Sequence, residues 1–322
     1  MINLKTTNAE VEFPHSESKR VDSIGRVGLL ILAAVCAFIV VLIAVFLLVE
    51  SLPALYTYGL GIFSSTEWNP YIDRFGIFVF IVGSLWVSSF ALIFALPLGL
   101  ATSIFLAEYC PPSLRYPLRT AVELMAAIPS IVYGLWGFMV LVPWLRYSGE
   151  PFLRNNFGFI PFFSGEPQGY GVLAGSLLLA IMLLPTIVAI SEDAFRMLPS
   201  TLREASMALG ASKTETTFKI VLPAALPGIA AAVLLSLGRA LGETMAVLMV
   251  TGNTMIIPKT LFDPTYVMTS VIANQLGYAF ATPLYRSALF VVALALLIVS
   301  ICFTATARIL LRYAMKSRSF GI

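Results

Sequence analysis

The apolar residues of this chain fall in long charge-poor runs separated by short polar and basic stretches. Six runs are long enough to matter: Val27–Val49, Phe75–Ala107, Leu124–Leu145, Gly171–Ser191, Ala224–Val250 and Ser287–Ala307. The fifth is interrupted only by Arg239 and Glu243. A helix crosses a bilayer in about 20 apolar residues, because backbone groups in hydrocarbon must bond within the segment. The pattern therefore predicts an all-α polytopic membrane protein with six transmembrane helices, the second long enough to be either tilted or bent, with Pro97 and Gly99 as the bend points. A further charge-free stretch, Pro264–Tyr285, contains Asn274, Gln275, Gly277 and Pro283. It reads as a loop or re-entrant segment lining an outer vestibule.

Composition removes the other classes. Of the 322 residues 59% are hydrophobic and 11% charged, and the mean hydropathy is +0.91. Soluble domains run about 45–50% apolar and about 25% charged. A soluble enzyme, a disordered chain and a nucleic-acid binder are excluded, and a net charge of +3 indicates no polyanionic partner. Cys36, Cys110 and Cys302 are far apart and His15 is the single histidine, which argues against a disulfide framework or a His/Cys metal site.

Basic residues give the sidedness. Fourteen of the twenty Lys and Arg fall on one side of a six-span layout, five on the other, and Arg239 lies within a span. The positive-inside rule then puts both termini in the cytoplasm. Glu10, Glu12 and Glu17 make the first residues unlike a cleaved signal peptide, so the first span is expected to remain as an anchor. The expected division is a cytoplasmic tail 1–26, an anchor helix 27–49, an extracytoplasmic loop 50–74, a five-helix core 75–307 carrying a cytoplasmic loop 192–223, and a basic cytoplasmic tail 308–322. Trp68, Trp144, Tyr147 and Tyr170 are expected as interfacial anchors.

The cytoplasmic loop reads EDAFRMLPSTLREASMALGASKTETTFKIVLP. Thr201 with Glu204, and Ser212 with Glu215, have the spacing of capping boxes, and Gly210 is a natural left-handed stop between two short helices. Leu202, Ala205, Ala208 and Leu209 make an apolar stripe on the first. Periodicity alone also suits an amphipathic loop lying on lipid headgroups. The residues Glu204-Ala205-Ser206, Gly210 and Ile220-Val221-Leu222-Pro223 resemble the EAA loop of ABC-importer permeases, with the intervals intact and Ser206 in place of the second alanine. That resemblance implies a coupling helix seated in a separate cytoplasmic ATPase. Gly210-Ala211-Ser212-Lys213-Thr214 lacks the glycine spacing of a phosphate loop. The chain is therefore expected to be a non-catalytic subunit without a cofactor of its own, ATP and Mg being bound by the partner ATPase.

Arg239 and Glu243 are expected four residues apart on one helix face, deep in the hydrocarbon. An arginine at a helix centre costs about 2.5–3.5 kcal/mol on insertion scales. Two explanations fit: an ion pair that helps helices pack, or a guanidinium lining a path for an anion, with Glu243 neutralising it between substrates. Gly238 and Gly242 offer an adjacent face for a second helix.

The stretch Arg239-Ala240-Leu241-Gly242-Glu243-Thr244-Met245-Ala246-Val247, followed by Gly252-Asn253, is similar to the PstC-type permease family of bacterial phosphate ABC importers. So are Pro97-Leu98-Gly99-Leu100-Ala101-Thr102, Leu106-Ala107-Glu108-Tyr109, Ile128-Pro129-Ser130-Ile131-Val132-Tyr133-Gly134 and Leu202-Arg203-Glu204-Ala205. The likeness covers roughly Phe75 to Arg308. It implies a type I ABC-importer permease (MetI-like) fold in a bacterial inner membrane, a PstA-type sister permease, an ATPase dimer, an extracytoplasmic phosphate-binding protein and inorganic phosphate as cargo. Pro129, Ser130 and Pro185-Thr186 are further places where backbone or hydroxyls can line a path, and helix kinks explain them equally well. The alternatives are a permease for another oxyanion, an ion-coupled secondary anion carrier, and a membrane sensor of phosphate status.

Overall fold

The computed structural model describes residues 15–280 and 282–319. The first fourteen residues of the expected N-terminal tail and the last three of the C-terminal tail lie outside them. The chain divides into two compact units, one up to Val49 and one from Glu50 onward. The first unit is helical from His15, and nearly all its large apolar side chains from Val27 to Val49, Leu29 and Phe38 among them, are exposed, a surface suited to lipid.

Helix α1 runs His15–Tyr58, nine residues beyond the expected end of the anchor, and passes Pro53. A charge ended the run at Glu50 in the sequence, but that carboxylate is paired with Arg286 at 3.3 Å. Ser287 Oγ also donates to the Glu50 carbonyl (2.8 Å) and accepts from the Ala54 N–H (2.9 Å). The expected 50–74 loop is therefore helical up to Tyr58. It then holds a helical turn, Gly61–Ser64, and a hairpin of β1 (Trp68–Asn69) and β2 (Arg74–Phe75), paired antiparallel with Trp68 opposite Phe75. Trp68 is not an interfacial anchor. It is buried among Phe75, Phe80 and Tyr285, with its indole N–H donating to Gln275 (2.8 Å).

Helix α2 (Phe78–Tyr109) continues through Pro97 and ends in a π turn at Phe105–Tyr109. Helix α3 (Pro112–Ala127) and helix α4 (Ser130–Phe157) meet at a 91° bend, so the expected single span Leu124–Leu145 is wrong at both ends. Pro129 explains the bend: a residue before proline is pushed out of the helical region, and Ile128 has φ −69°, ψ 126°. Helix α5 (Val172–Arg196) carries Pro185 without unwinding. Helix α6 is Ser200–Ala208, and α7 is Lys213–Gly242. Short α8 (Met245–Val250) and α9 (Met268–Ala279) precede α10 (Pro283–Ser319). The stretch expected as a loop or re-entrant segment thus contains a 12-residue helix, too short to cross a bilayer. The tail expected from residue 308 continues α10. Five helices are long and apolar enough to span, and the bent α3–α4 pair makes six.

Lipid tails are as apolar as leucine, so packing in such a protein depends on close approach of small residues. Helix α2 buries Gly83, Ser84, Ser88, Ala91, Ala95 and Gly99. It lies parallel to α5: Ser176 Oγ donates to the Val87 carbonyl (3.1 Å), and a Cβ on Gly99 would stand 2.6 Å from Ile187 Cγ2. Gly83 meets the segment leading into α9, where Ser84 Oγ accepts from the Met268 N–H (2.9 Å). A Cβ on Gly83 would collide with Thr265 Oγ1 and lie 2.8 Å from the Tyr266 carbonyl oxygen. Gly83→Ala is predicted to destabilise the detergent-solubilised protein by about 1–3 kcal/mol, read as a lowered Tm. Gly277→Ala, a helical position with open space around it, is predicted to leave the Tm unchanged or raised.

Candidate functional site

The span expected as one helix over Ala224–Val250 is two. Helix α7 stops at Gly242, Glu243 is extended (φ −69°, ψ 129°), and α8 starts after Thr244. Glu243 and Arg239 consequently do not share a helix face, and no ion pair joins them. The Glu243 carboxylate instead caps α8, accepting from the Thr244 and Ala246 N–H groups at 3.1 and 3.4 Å. An anionic side chain is favoured there by the helix dipole. Thr269 Oγ1 donates to the Glu243 carbonyl (2.8 Å) and Thr244 Oγ1 to that of Gly242 (3.3 Å). Two N–H groups and two carbonyls at the interruption are thus bonded by side chains of the protein itself, which lowers the cost of a break at membrane depth. The signal in the sequence was Gly242-Glu243-Thr244, a helix-stopping glycine followed by capping residues ahead of an apolar turn.

Depth follows from a helix contact. Gly228 of α7 packs on Ala194, two residues before the end of α5. Arg239 is eleven residues further on, about 16 Å along the axis at 1.5 Å per residue, near the middle of α5. Its side chain is exposed, alongside Leu235, Gly238 and Gly242, and makes no hydrogen bond or ion pair among the described residues. A Cβ on Gly238 or Gly242 would meet nothing within 4 Å. The hydroxyl of Tyr133 in α4 donates to the Met125 carbonyl (2.9 Å) across the α3–α4 bend. Ile128, Val132, Tyr133, Trp136 and Ile181 line a cavity of about 310 Å³ there. Arg239 sits on the exposed face of α7, one turn before the break at Gly242. Of the four backbone candidates, Pro129 and Ser130 border the bend, whereas Pro185 and Thr186 lie in unbroken helix.

The loop between α5 and α7 forms a second site. Gly210 is left-handed (φ +87°) between α6 and α7, as expected. The Ser212–Glu215 box is present: Ser212 Oγ accepts from the Glu215 N–H (3.2 Å) and Glu215 from that of Ser212 (3.1 Å). The expected Thr201–Glu204 box is absent. The helix starts two residues earlier than that box implies, at Ser200, with Pro199 at its cap and no side-chain cap. Glu204, Ala205, Met207, Ala208 and Leu209 are exposed, Leu209 at 91%, and Leu202 is half-buried, so most of the apolar stripe has no cover among the described residues. Ser206 turns the other way, its hydroxyl 2.9 Å from that of buried Thr216, tying α6 to α7. Helix α7 does not begin at Leu222-Pro223. It runs through them by a π turn over Thr217–Val221, which accommodates the proline's missing N–H and its ring. Ile220 stays exposed, and Leu222 and Pro223 are half-buried.

The model of the family described as "Binding-protein-dependent transport system inner membrane component" matches residues 99–314. The chain is 41% identical over 273 residues to the phosphate transport system permease protein PstC of Mesorhizobium japonicum, covering 84% of this chain and 83% of that one. It is 39% identical to the probable phosphate transport system permease protein PstC of Methanocaldococcus jannaschii, over 81% and 84%. The chain belongs to this family of transport permeases, in its PstC-type group. A chain of the bacterial alginate ABC transporter, crystallised with its alginate pentasaccharide-bound periplasmic protein, shares the fold. The TM-score is 0.59 at 16% identity, over 92% of this chain and 98% of that one.

The permease's cap at Ser212 carries a pH dependence. Glu215 is held down to about 2, first by the Ser212 N–H, then by Lys219 and the Ser212 hydroxyl. A depressed carboxyl stabilises its fold above the unfolded pKa, about 4.3, and loses that contribution as pH falls through the folded value. Amide hydrogen exchange at Lys213–Thr217 is predicted to be unchanged from pH 7 to 5 after correction for intrinsic rates, and to quicken below about pH 4. In Glu215→Gln the acid-dependent step disappears.

Proposed function

We propose that this chain is the transmembrane permease subunit of an ATP-driven importer of inorganic phosphate, forming half of the translocation pathway with a PstA-type sister permease. A separate ATPase dimer drives it through Glu204, Ala205, Ser206, Gly210, Ile220, Leu222 and Pro223. An extracytoplasmic binding protein delivers phosphate to the outer loops, and both termini lie in the cytoplasm of a cell with this protein in its inner membrane. The chain itself does no chemistry on phosphate and holds no cofactor. The uncovered stripe of α6 supports the docking of another protein, and the names of the relatives support phosphate as cargo.

The observation that carries the proposal is Arg239. A guanidinium exposed near mid-membrane without a hydrogen-bond or ion-pair partner among the described residues is costly against lipid and favourable in a water-lined path. Its planar donors match two oxygens of a phosphate at once. Glu243, held at the α8 cap, leaves that cation available rather than neutralising it.

Reconstitution with ATPase, sister permease and receptor in proteoliposomes tests this. ATP-dependent phosphate accumulation is predicted, absent from this chain alone under any ion gradient. Arg239→Ala should lower the rate about ten- to hundredfold, the worth of a charge-assisted hydrogen bond of about 1.5–3 kcal/mol, and Arg239→Lys should retain part of it. Sulfate or molybdate competing as well as phosphate would favour a wider oxyanion permease. Unimpaired uptake by an assembled Arg239→Ala complex would contradict the role given to this residue.

A further inference from the structure

Arg203 directly precedes the exposed Glu204-Ala205 of α6, yet its side chain points the opposite way, into the membrane part. Nη2 lies 2.6 Å from Glu108 Oε1, and Nε lies 3.1 and 3.2 Å from the two carboxylate oxygens. Nη2 also donates to the Phe195 carbonyl (2.8 Å) and Nη1 to that of Leu198 (3.1 Å). The two side chains are only 21% and 8% exposed, so solvent and salt screen the pair weakly. Glu108 sits in the closing π turn of α2, and its neighbour Tyr109 lies under Lys213 Nζ at 5.0 Å. One guanidinium therefore grips the end of α2 and the end of α5 together.

Helices α5 and α7 are continuous in chain with the segment that carries α6. Helix α2 is not, because its chain turns away at Cys110-Pro111 into α3. Beneath the pair, Phe195, Val221, Ala225 and Ile229 form a small core with Leu100 and Ile104 of α2. Apolar contacts of this kind resist separation but allow sliding, whereas a forked, bidentate pair fixes distance and angle at once. We propose that Arg203 and Glu108 are the positioning joint that carries displacement of α6 into α2, so that the inner ends of α2 and α5 move as one body. This rests on the ATP-driven transport proposed above.

The test uses the complete reconstituted transporter and reads phosphate accumulated per ATP hydrolysed. Glu108→Gln keeps the side-chain shape and leaves Arg203 its two carbonyls. It is expected to lower that ratio about tenfold while hydrolysis continues, and Glu108→Asp, which restores the charge, is expected to recover most of it. Should the Gln variant fail to assemble, Arg203→Lys supplies the same readout, with an intermediate fall expected. An unchanged ratio overturns the joint, as does a parallel loss of hydrolysis and accumulation with assembled complex, which is what a purely structural pair would give. A wild-type complex that hydrolyses ATP without accumulating phosphate overturns the proposed function, and the joint's role with it.

Discussion

Backbone groups in hydrocarbon have no water to turn to, and this constraint governs the arrangement around Gly242 and Glu243. A helix that stops at membrane depth exposes carbonyls on one side of the break and N–H groups on the other. Here the Glu243 carboxylate accepts from the N–H groups of Thr244 and Ala246, and the Thr244 and Thr269 hydroxyls donate to the carbonyls of Gly242 and Glu243, so four groups are bonded. Because Glu243 is committed to that work, Arg239 one turn earlier has no counter-ion among the described residues. The interruption and the free guanidinium are two consequences of one local choice.

The opposite end of the molecule obeys a different requirement. A segment that receives force from another protein has to present an uncovered face while its own geometry stays fixed. In α6 the two jobs fall to alternate sides of one short helix: Ala205, Ala208 and Leu209 outward, Arg203 and Ser206 inward. Serine at position 206 departs from the alanine of the loop pattern, and its hydroxyl meets Thr216. The departure adds a bond between the two short helices rather than disturbing the exposed face.

Local signals were readable from sequence and long-range ones were not. The left-handed Gly210 and the Ser212–Glu215 box each depend on residues within a few positions of one another, and both stand where expected, whereas the equally local Thr201–Glu204 box does not form because the helix starts ahead of it. Runs of hydropathy carry no direction, so Leu124–Leu145 looked like one straight span although Pro129 marks a 91° bend. Averaging likewise ran through Gly242 and produced a false Arg239–Glu243 pair. Charges that end a run mislead in the other sense: Glu50 closed the first apolar stretch, yet α1 continues past it because Arg286, far along the chain, supplies a partner. The Arg203–Glu108 pair spans 95 residues and had no trace in any spacing.

The central claim is that position 239 faces water within the membrane. A single cysteine there, in a chain whose Cys36, Cys110 and Cys302 have been replaced, can be probed in the assembled transporter with a charged, membrane-impermeant thiol reagent. The account predicts labelling from the aqueous phase that slows when phosphate is present. Labelling by lipid-soluble maleimide alone, with the charged reagent inert and phosphate without effect, would put Arg239 against lipid or a sealed interface and contradict it.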